Sequence, residues 1–209
     1  MKKLVIIMLA FVLTGCMTTK NTEDNFVVGM EAAYQPFNWQ AIKRGSTGVY
    51  LDGGAGIADG YDVVIAQKIA KKIHKKLVIK KISWEGLPSA VESGEIDAII
   101  AGMTANAERE EGIDFTDPYY TSELVLVVKA DSKYATSTSL SDFNGARIVS
   151  QVSTVTNDVI ESWVSEFNVR HMTPLDTFAT CALAVKNGSA DAMTAELPVA
   201  TAIVKGNNI

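Results

Sequence analysis

Cysteine and histidine are scarce in this 209-residue chain, which holds two of each. That number is too small for a disulfide scaffold or a zinc framework, so neither a structural metal nor a cofactor is expected. Long apolar runs are also missing, because no run approaches the 18 residues of a membrane-spanning helix. Basic residues do not predominate either: 19 Lys and Arg stand against 24 Asp and Glu. This acidic balance argues against a nucleic-acid partner.

The composition that remains is that of an ordinary globular protein. Hydrophobic residues make up 47% of the chain and charged residues 21%, which excludes a disordered or fibrous chain. The length suffices for one large domain or two small ones with a real core.

The N-terminus carries the features of an export signal. A basic start precedes an apolar run over residues 4–13, which as a helix would cover about half of a ~30 Å hydrocarbon core. This pattern is typical of a signal peptide. The run ends in Leu-Thr-Gly-Cys, with the cysteine at Cys16, and this ending resembles a bacterial lipobox. It predicts a signal peptide over 1–15, a tether over 16–25 and a diacylglycerol on Cys16; the alternative is a chance cysteine beside a signal peptide.

Strand and helix patterns alternate along the rest of the chain. Strands are predicted over 26–30, 77–82, 96–101, 123–129, 146–150, 169–172 and 190–194, and helices over 63–76, 85–93, 155–166 and 175–186. Asp62 is the predicted cap of the first helix. Such alternation indicates parallel βαβ units in two α/β lobes, whose ligand sites lie beyond the carboxyl ends of the strands.

Polar and aromatic motifs follow these strands. They are Glu-Ala-Ala-Tyr-Gln-Pro-Phe at 31–37, Gly-Tyr-Asp-Val at 60–63, Trp-Glu-Gly-Leu at 84–87, Gly-Met-Thr-Ala-Asn-Ala-Glu-Arg at 102–109 and Phe-Thr-Asp-Pro-Tyr-Tyr at 115–120. In order and spacing they resemble the extracytoplasmic amino-acid-binding proteins of ABC importers, solute-binding protein family 3. The resemblance covers residues 26–200 and is most specific in the last two motifs.

The resemblance implies a particular domain organisation. We expect an α/β fold of the two-lobe periplasmic-binding-protein type II, in which each lobe is a mostly parallel sheet flanked by helices. Lobe 1 would span 26–117 and lobe 2 would span 118–209. Family members continue beyond the position of Ile209, so the expectation is an incomplete lobe 2 without its return to lobe 1, and reduced stability.

Two groups of residues suit the carboxylate of a free amino acid. Arg109 can grip a carboxylate with two parallel charge-assisted hydrogen bonds, and Thr104 stands where the family adds a hydroxyl and a backbone N–H. Ser153 and Thr154 begin a predicted helix, whose free N–H groups suit an anion. Arg109 as a surface ion-pair partner of a neighbouring acid is the alternative.

By resemblance, other residues surround the rest of the ligand. The Gly102 carbonyl and Glu196 would hold the ammonium group. Tyr34, Phe37 and Trp84 would form apolar walls. Glu31 occupies an acidic position near the distal end of the ligand side chain, which favours a basic amino acid or glutamine. The alternatives are core packing for Phe37 and Trp84, and a helix-start acid for Glu196.

Two departures from the family pattern accompany these residues. Ser153-Thr154-Val155 stands where Gly-Thr-Thr is usual, so Val155 offers only backbone contact, and Glu196 stands where aspartate is usual. The resulting hypothesis is a monomeric lipoprotein at the extracytoplasmic membrane face that passes an amino acid to an ABC permease. An enzyme using Glu31 and Glu196, a sensory domain, and a fragment without its own function are the rivals.

Overall fold

The computed structural model describes residues 24–54 and 56–207. Cys16 and the predicted signal peptide lie outside these residues. The helices are α1 (Tyr61–Lys72), α2 (Leu87–Glu92), α3 (Ala107–Glu110), α4 (Val155–Phe167), α5 (Phe178–Lys186) and α6 (Leu197–Asn207). The strands are β1 (Asn25–Met30), β2 (Ala33–Tyr34), β3 (Asn38–Ala41), β4 (Val49–Tyr50), β5 (Ile57–Asp59), β6 (Lys76–Lys81), β7 (Ala98–Ile99), β8 (Leu124–Val128), β9 (Arg147–Val149), β10 (Arg170–His171) and β11 (Ala192–Glu196).

These strands form three sheets. The first sheet has the order β6-β1-β7 and is parallel throughout. The second sheet has the order β10-β9-β11-β8, in which only β8 is antiparallel to its neighbour. A small antiparallel sheet, β2-β3-β5-β4, lies between β1 and α1 in the chain. Because parallel strands share one carboxyl edge, each of the two larger sheets presents its following loops on one side.

The predicted strands and helices are confirmed, with ends shifted by a few residues. The strand predicted over 96–101 is shorter, since only Ala98–Ile99 pairs with β1. The small antiparallel sheet was not predicted, because strands of two to four residues carry too little alternation to be recognised.

The core of the first sheet follows from its apolar strands. Val27, Val28 and Ile79 are fully buried or nearly so, as expected for parallel strands covered on both faces. Helix α1 covers one side through buried residues spaced three to four apart, which are Val63, Ala66 and Ala70.

The core of the second sheet contains the single cysteine of the described residues. Cys181 on α5 is fully buried in one apolar cluster with Met193 on β11. Burial raises the pKa of its thiol to about 12, so the group stays neutral. Tyr34 and Phe37 from the start of the small sheet pack into this same core.

Gly60 occupies a backbone conformation that only glycine adopts easily, with φ 127° directly before α1. A Cβ at this position would lie 2.7 Å from the Trp39 ring and against the Phe37 carbonyl. We expect Gly60→Ala to lower the free energy of unfolding by roughly 2–4 kcal/mol in urea denaturation.

Gly145→Ala is the matched control for this effect. Gly145 also has a positive φ of 73°, but a Cβ there meets nothing within 4 Å. The control should lose only about 1–2 kcal/mol. Equal losses in the two variants would show that the close contact at Gly60 has no energetic weight.

No helix within residues 24–54 and 56–207 combines the length and the hydropathy that a membrane span requires.

Candidate functional site

A pocket lies where the carboxyl ends of the two larger sheets meet. Glu31 follows β1, Trp84 follows β6, and Gly102 follows β7, while Gln151 follows β9 of the second sheet. The space between these loops, its open mouth included, measures about 350 Å³. Its lining residues are Glu31, Tyr34, Trp84, Ala101, Gly102, Thr104, Arg109, Gln151, Thr154, Val155, Thr156, Phe178 and Glu196.

Eight of the ten residues predicted for the site line this pocket, and two do not. Phe37 lies behind the wall: its ring stacks on Tyr34 with centroids 5.5 Å apart, and the residue is buried in the core. Ser153 adopts a left-handed conformation with φ 55°. Its carbonyl oxygen accepts hydrogen bonds from Trp84 and Arg109, which follow strands of the first sheet. Phe37 therefore supports the wall, and Ser153 joins the two sides of the pocket.

Sequence reasoning missed Gln151 and Phe178 as lining residues. Gln151 is buried and comes directly after the predicted strand 146–150, so the rule that sites follow strands would have found it. Phe178 falls within the helix predicted over 175–186, away from the motifs that follow the strands. It is the first residue of α5, and its ring centroid lies 4.9 Å from that of Tyr34.

Arg109 sits on the short helix α3, where its backbone N–H donates to the side chain of the N-cap Asn106. Its Nη1 donates to the Thr104 carbonyl at 2.6 Å, and its Nη2 donates to the Ser153 carbonyl at 2.8 Å. The guanidinium carbon lies 5.5 Å from the ring centroid of Trp84, within cation–π distance.

The electrostatics of Arg109 suit an anionic ligand. Burial lowers its pKa from the usual value, and the charges of Asp158 and Glu108 partly offset this effect. Among the described residues, no carboxylate forms an ion pair with the guanidinium. Because arginine stays protonated in proteins, Arg109 is a partly desolvated cation available for a carboxylate.

Glu31 is the buried acid of the pocket, with 8% of its surface exposed. Its Oε1 accepts a hydrogen bond from Gln151 Nε2 at 3.0 Å, and the same amide donates to the Asp176 carbonyl at 2.8 Å. Burial raises the pKa of the Glu31 carboxyl, while the Gln151 hydrogen bond and the charge of Lys81 act in the opposite direction. A cation in the pocket would therefore favour the ionised form of Glu31.

Glu196 and Tyr34 meet across the pocket. Glu196 ends β11, and its Oε2 accepts a short hydrogen bond from the Tyr34 hydroxyl. Burial, followed by the charge of Glu196, raises the pKa of Tyr34 well above its ordinary value, so the hydroxyl remains a donor. The carboxylate of Glu196 thus faces the pocket from the second sheet.

A buried hydrogen-bond network supports the loops of the first sheet from behind. Asp62 is fully buried and accepts from Asn38 Nδ2 and from the Tyr119 hydroxyl, each at 2.7 Å. Asn38 Oδ1 in turn accepts from the Ala32 N–H at 2.9 Å, and the Tyr119 oxygen accepts from the Gly102 N–H at 3.1 Å. The network therefore connects the loop after β1 with the loop after β7.

Asp62 does not cap α1 as predicted. The helix begins one residue earlier, at Tyr61, and its N-cap is Gly60, which has no side chain to accept a hydrogen bond. The Asp62 carboxylate is turned to Asn38 and Tyr119 instead of back to the helix. Burial raises its pKa, and these two hydrogen bonds partly offset the rise.

The described part of the chain contains no group of three or more His, Cys, Asp or Glu residues that could hold a metal ion.

The sequence model of one protein family, the bacterial extracellular solute-binding proteins, family 3, matches residues 26–197. The chain belongs to this family. The arginine-binding extracellular protein ArtP of Bacillus subtilis is 29% identical over 163 residues, which cover 74% of this chain and 58% of ArtP. The glutamine-binding protein of Geobacillus stearothermophilus is 32% identical over 145 residues, which cover 68% of this chain and 53% of that protein.

A solved structure extends the likeness to the fold. An ancestral arginine-binding protein bound to glutamine matches with a TM-score of 0.74 and 29% identity, over 90% of this chain and 76% of that chain. The predicted α/β periplasmic-binding-protein type II fold is thereby confirmed.

Proposed function

We propose that the chain binds a free polar amino acid, either a basic amino acid or glutamine, and delivers it to the permease of an ABC importer. The proposal rests on two side chains that line the same aromatic-walled pocket. Arg109 is a partly desolvated cation, and Glu31 is a buried acid. Membership of the solute-binding family and the arginine- and glutamine-binding relatives support it.

The ligand's two charged backbone groups have complementary partners. The carboxylate would bind Arg109 and Thr104, and it would face the first N–H groups of α4 at Val155 and Thr156. The ammonium would bind the Gly102 carbonyl and Glu196. Glu196 already accepts from a hydroxyl at this place, so an ammonium donor would join an existing acceptor.

The ligand side chain would lie between aromatic rings. Tyr34, Trp84 and Phe178 line the pocket, and their faces favour apolar stems and cationic heads alike. Glu31 and Gln151 would meet the distal polar group. A basic side chain would pair with Glu31, whereas the amide of glutamine would bond to both residues.

Closure of the pocket would involve Ser153. Its carbonyl accepts from Arg109 and from Trp84 Nε1 at 2.9 Å, and its hydroxyl donates to Glu85 at 3.1 Å. These contacts join the loops of the first sheet to the start of α4. We propose that the joined parts are lobe 1 over 26–117 and lobe 2 over 118–209, which close over the ligand.

The proposal includes the lipoprotein form. Cys16 would carry the acyl anchor, residues 16–25 would act as the tether, and the protein would work as a monomer on the extracytoplasmic face of the membrane. We favour binding over catalysis because the two pocket acids are engaged by Gln151 and Tyr34.

Thermal unfolding of residues 17–209 in the presence of each of the twenty amino acids tests the proposal. A ligand at about 100 times its Kd should add ~2.7 kcal/mol to the stability. For a chain of this length the expected increase in Tm is roughly 5–10 °C. A cooperative transition that none of the twenty shifts would contradict the proposal.

Glu31 makes arginine binding pH-dependent. Because burial raises the pKa of the free carboxyl and a bound cation lowers it, arginine binding releases a proton below that raised pKa. The affinity for arginine should therefore decrease with falling pH, by up to about tenfold per pH unit, beginning above the ordinary range of glutamate. Calorimetric titrations between about pH 8 and about pH 5 would measure this decrease.

Glu31→Gln provides the control for this dependence. The variant should bind arginine on the order of 30-fold or more weakly at neutral pH, because a buried charge pair is lost. Its affinity should no longer vary with pH in this range. Equal pH profiles for the variant and the unmodified chain would show that Glu31 does not face the ligand.

A further inference from the structure

The charge of this chain is unevenly distributed. The net charge is −5, yet seven lysines occur between Lys68 and Lys81 and no Asp or Glu lies anywhere in 63–84. Six of these lysines are exposed. The five that lie on α1, in the turn after it and at the start of β6 are here called the lysine edge: Lys68, Lys71, Lys72, Lys75 and Lys76. The edge comprises the C-terminal half of α1, the turn that follows it and the first residue of β6.

The positive charge of the lysine edge is not neutralised within the described part of the chain. Lys80 forms an ion pair with Glu95 at 3.3 Å, and Lys81 donates to Gln40 at 2.9 Å. By contrast, none of the five edge lysines has a carboxylate of residues 24–54 or 56–207 in ion-pair contact. The positive electrostatic potential of these lysines can therefore attract an external anionic surface.

The lysine edge surrounds the point where the chain enters the fold. Asn25 pairs with Lys76 at the start of the parallel strands, and the Lys76 N–H donates to the Asp24 carbonyl at 2.8 Å. Only eight peptide units separate Cys16 from Asp24, a reach of at most about 29 Å. An acyl anchor at Cys16 would hold the edge close to lipid headgroups.

Two exposed isoleucines lie among these lysines. Ile69 is 37% exposed and Ile73 is 44% exposed. A surface that combines exposed apolar side chains with lysines is typical of helices that lie in the membrane interface. The ligand pocket lies beyond the carboxyl ends of the strands of the first sheet, whereas the lysine edge lies at their amino ends. The two surfaces are therefore at opposite ends of this sheet.

We propose that the lysine edge docks on the anionic phospholipid surface of the membrane that carries the anchor. Docking in this orientation turns the pocket away from the bilayer and towards dissolved amino acids. The inference rests on the lipoprotein form of the proposed function. It does not depend on which amino acid the pocket binds.

The test uses the full chain, exported and acylated by a bacterial host and reconstituted into vesicles. One set of vesicles contains phosphatidylcholine alone, and the other contains one-third phosphatidylglycerol. Acetylation of lysine amines is followed by mass spectrometry. On anionic vesicles the rates at Lys71, Lys72 and Lys75 should fall by at least about threefold. They should recover in about 1 M salt, where the Debye length is about 3 Å.

Exposed lysines elsewhere serve as internal controls. The rates at Lys133, Lys186 and Lys205 should be the same on both kinds of vesicle. Equal rates at the edge lysines on both kinds of vesicle would overturn the proposal. An equal decrease at all six lysines would also overturn it, because it would indicate general adsorption.

Two charge-matched variants complete the experiment. The edge variant carries Lys71→Gln, Lys72→Gln and Lys75→Gln, and the control variant carries Lys133→Gln, Lys186→Gln and Lys205→Gln. Protection of Lys68 and Lys76 should be lost in the edge variant and kept in the control; equal protection in both would contradict the proposal.

Two separate readouts distinguish a failure of the docking proposal from a failure of the proposed function. The mass of the Cys16 peptide reports the anchor, and the ligand-induced shift in Tm reports amino-acid binding.

Discussion

Arg109→Lys is expected to weaken amino-acid binding by at least about 100-fold, although it keeps the positive charge. Lysine lacks the planar fork that reaches two acceptors at once, and Arg109 already uses this fork to contact the carbonyls of Thr104 and Ser153. The substitution also removes the planar guanidinium that packs over the Trp84 ring. Calorimetric titration of the variant with the ligand found in the melting screen measures the effect.

Arg170→Lys is the matched control, since Arg170 is an exposed arginine on β10 outside the pocket. The control should bind as the unmodified chain does. Both variants should unfold within about 1 kcal/mol of the unmodified chain, because Arg170 is exposed and lysine keeps the charge and most of the length of Arg109. An Arg109→Lys variant with unchanged affinity would show that Arg109 does not bind the carboxylate.

Asp62→Ala is expected to lower the free energy of unfolding by about 3–5 kcal/mol. The change leaves the buried donor Asn38 Nδ2 and the part-buried Tyr119 hydroxyl without their acceptor. It also frees the side chains of Asn38 and Tyr119, whose oxygens accept from the N–H groups of Ala32 and Gly102 and so hold the two loops in place. Ligand affinity should therefore fall together with stability.

Urea denaturation measures the loss, and Asp114→Ala, at an exposed aspartate, is its control. The control should remain within about 0.5 kcal/mol of the unmodified chain. Asp62→Asn keeps the size of the side chain but places an amide against the Asn38 amide, so an intermediate loss is expected. A loss below about 1 kcal/mol for Asp62→Ala would contradict a supporting role for the network.

Local signals in the sequence predicted much of the fold. The apolar strand over 26–30 and the helix predicted over 63–76 rest on short-range patterns, and both elements are present with their ends shifted by a few residues. The small antiparallel sheet was missed because β2 and β4 have two residues each. Strands of this length are too short to show the alternation of apolar and polar residues that marks a strand, although β2 and β4 pair with strands close to them in the sequence.

Local patterns likewise predicted some residues of the pocket but not the contacts that support it. Arg109 and Trp84 stand in motifs beside strands, and the structure brings them together. The partners of Asp62 were beyond such reasoning, because Tyr119 lies 57 residues further along the chain. An aspartate near a helix start has the same local pattern whether it caps the helix or binds a distant hydroxyl.

Calorimetry with an amino acid and its decarboxylated amine shows whether Arg109 binds the carboxylate of the ligand. Residues 17–209 would be titrated with arginine, histidine and glutamine, and then with the amine that lacks the α-carboxylate of the one that binds. We expect saturable binding of at least one amino acid, and binding of its amine weaker by at least about 100-fold, because the amine lacks the carboxylate that binds Arg109. Equal binding of the amine, or no binding of any of the three amino acids, would contradict this expectation.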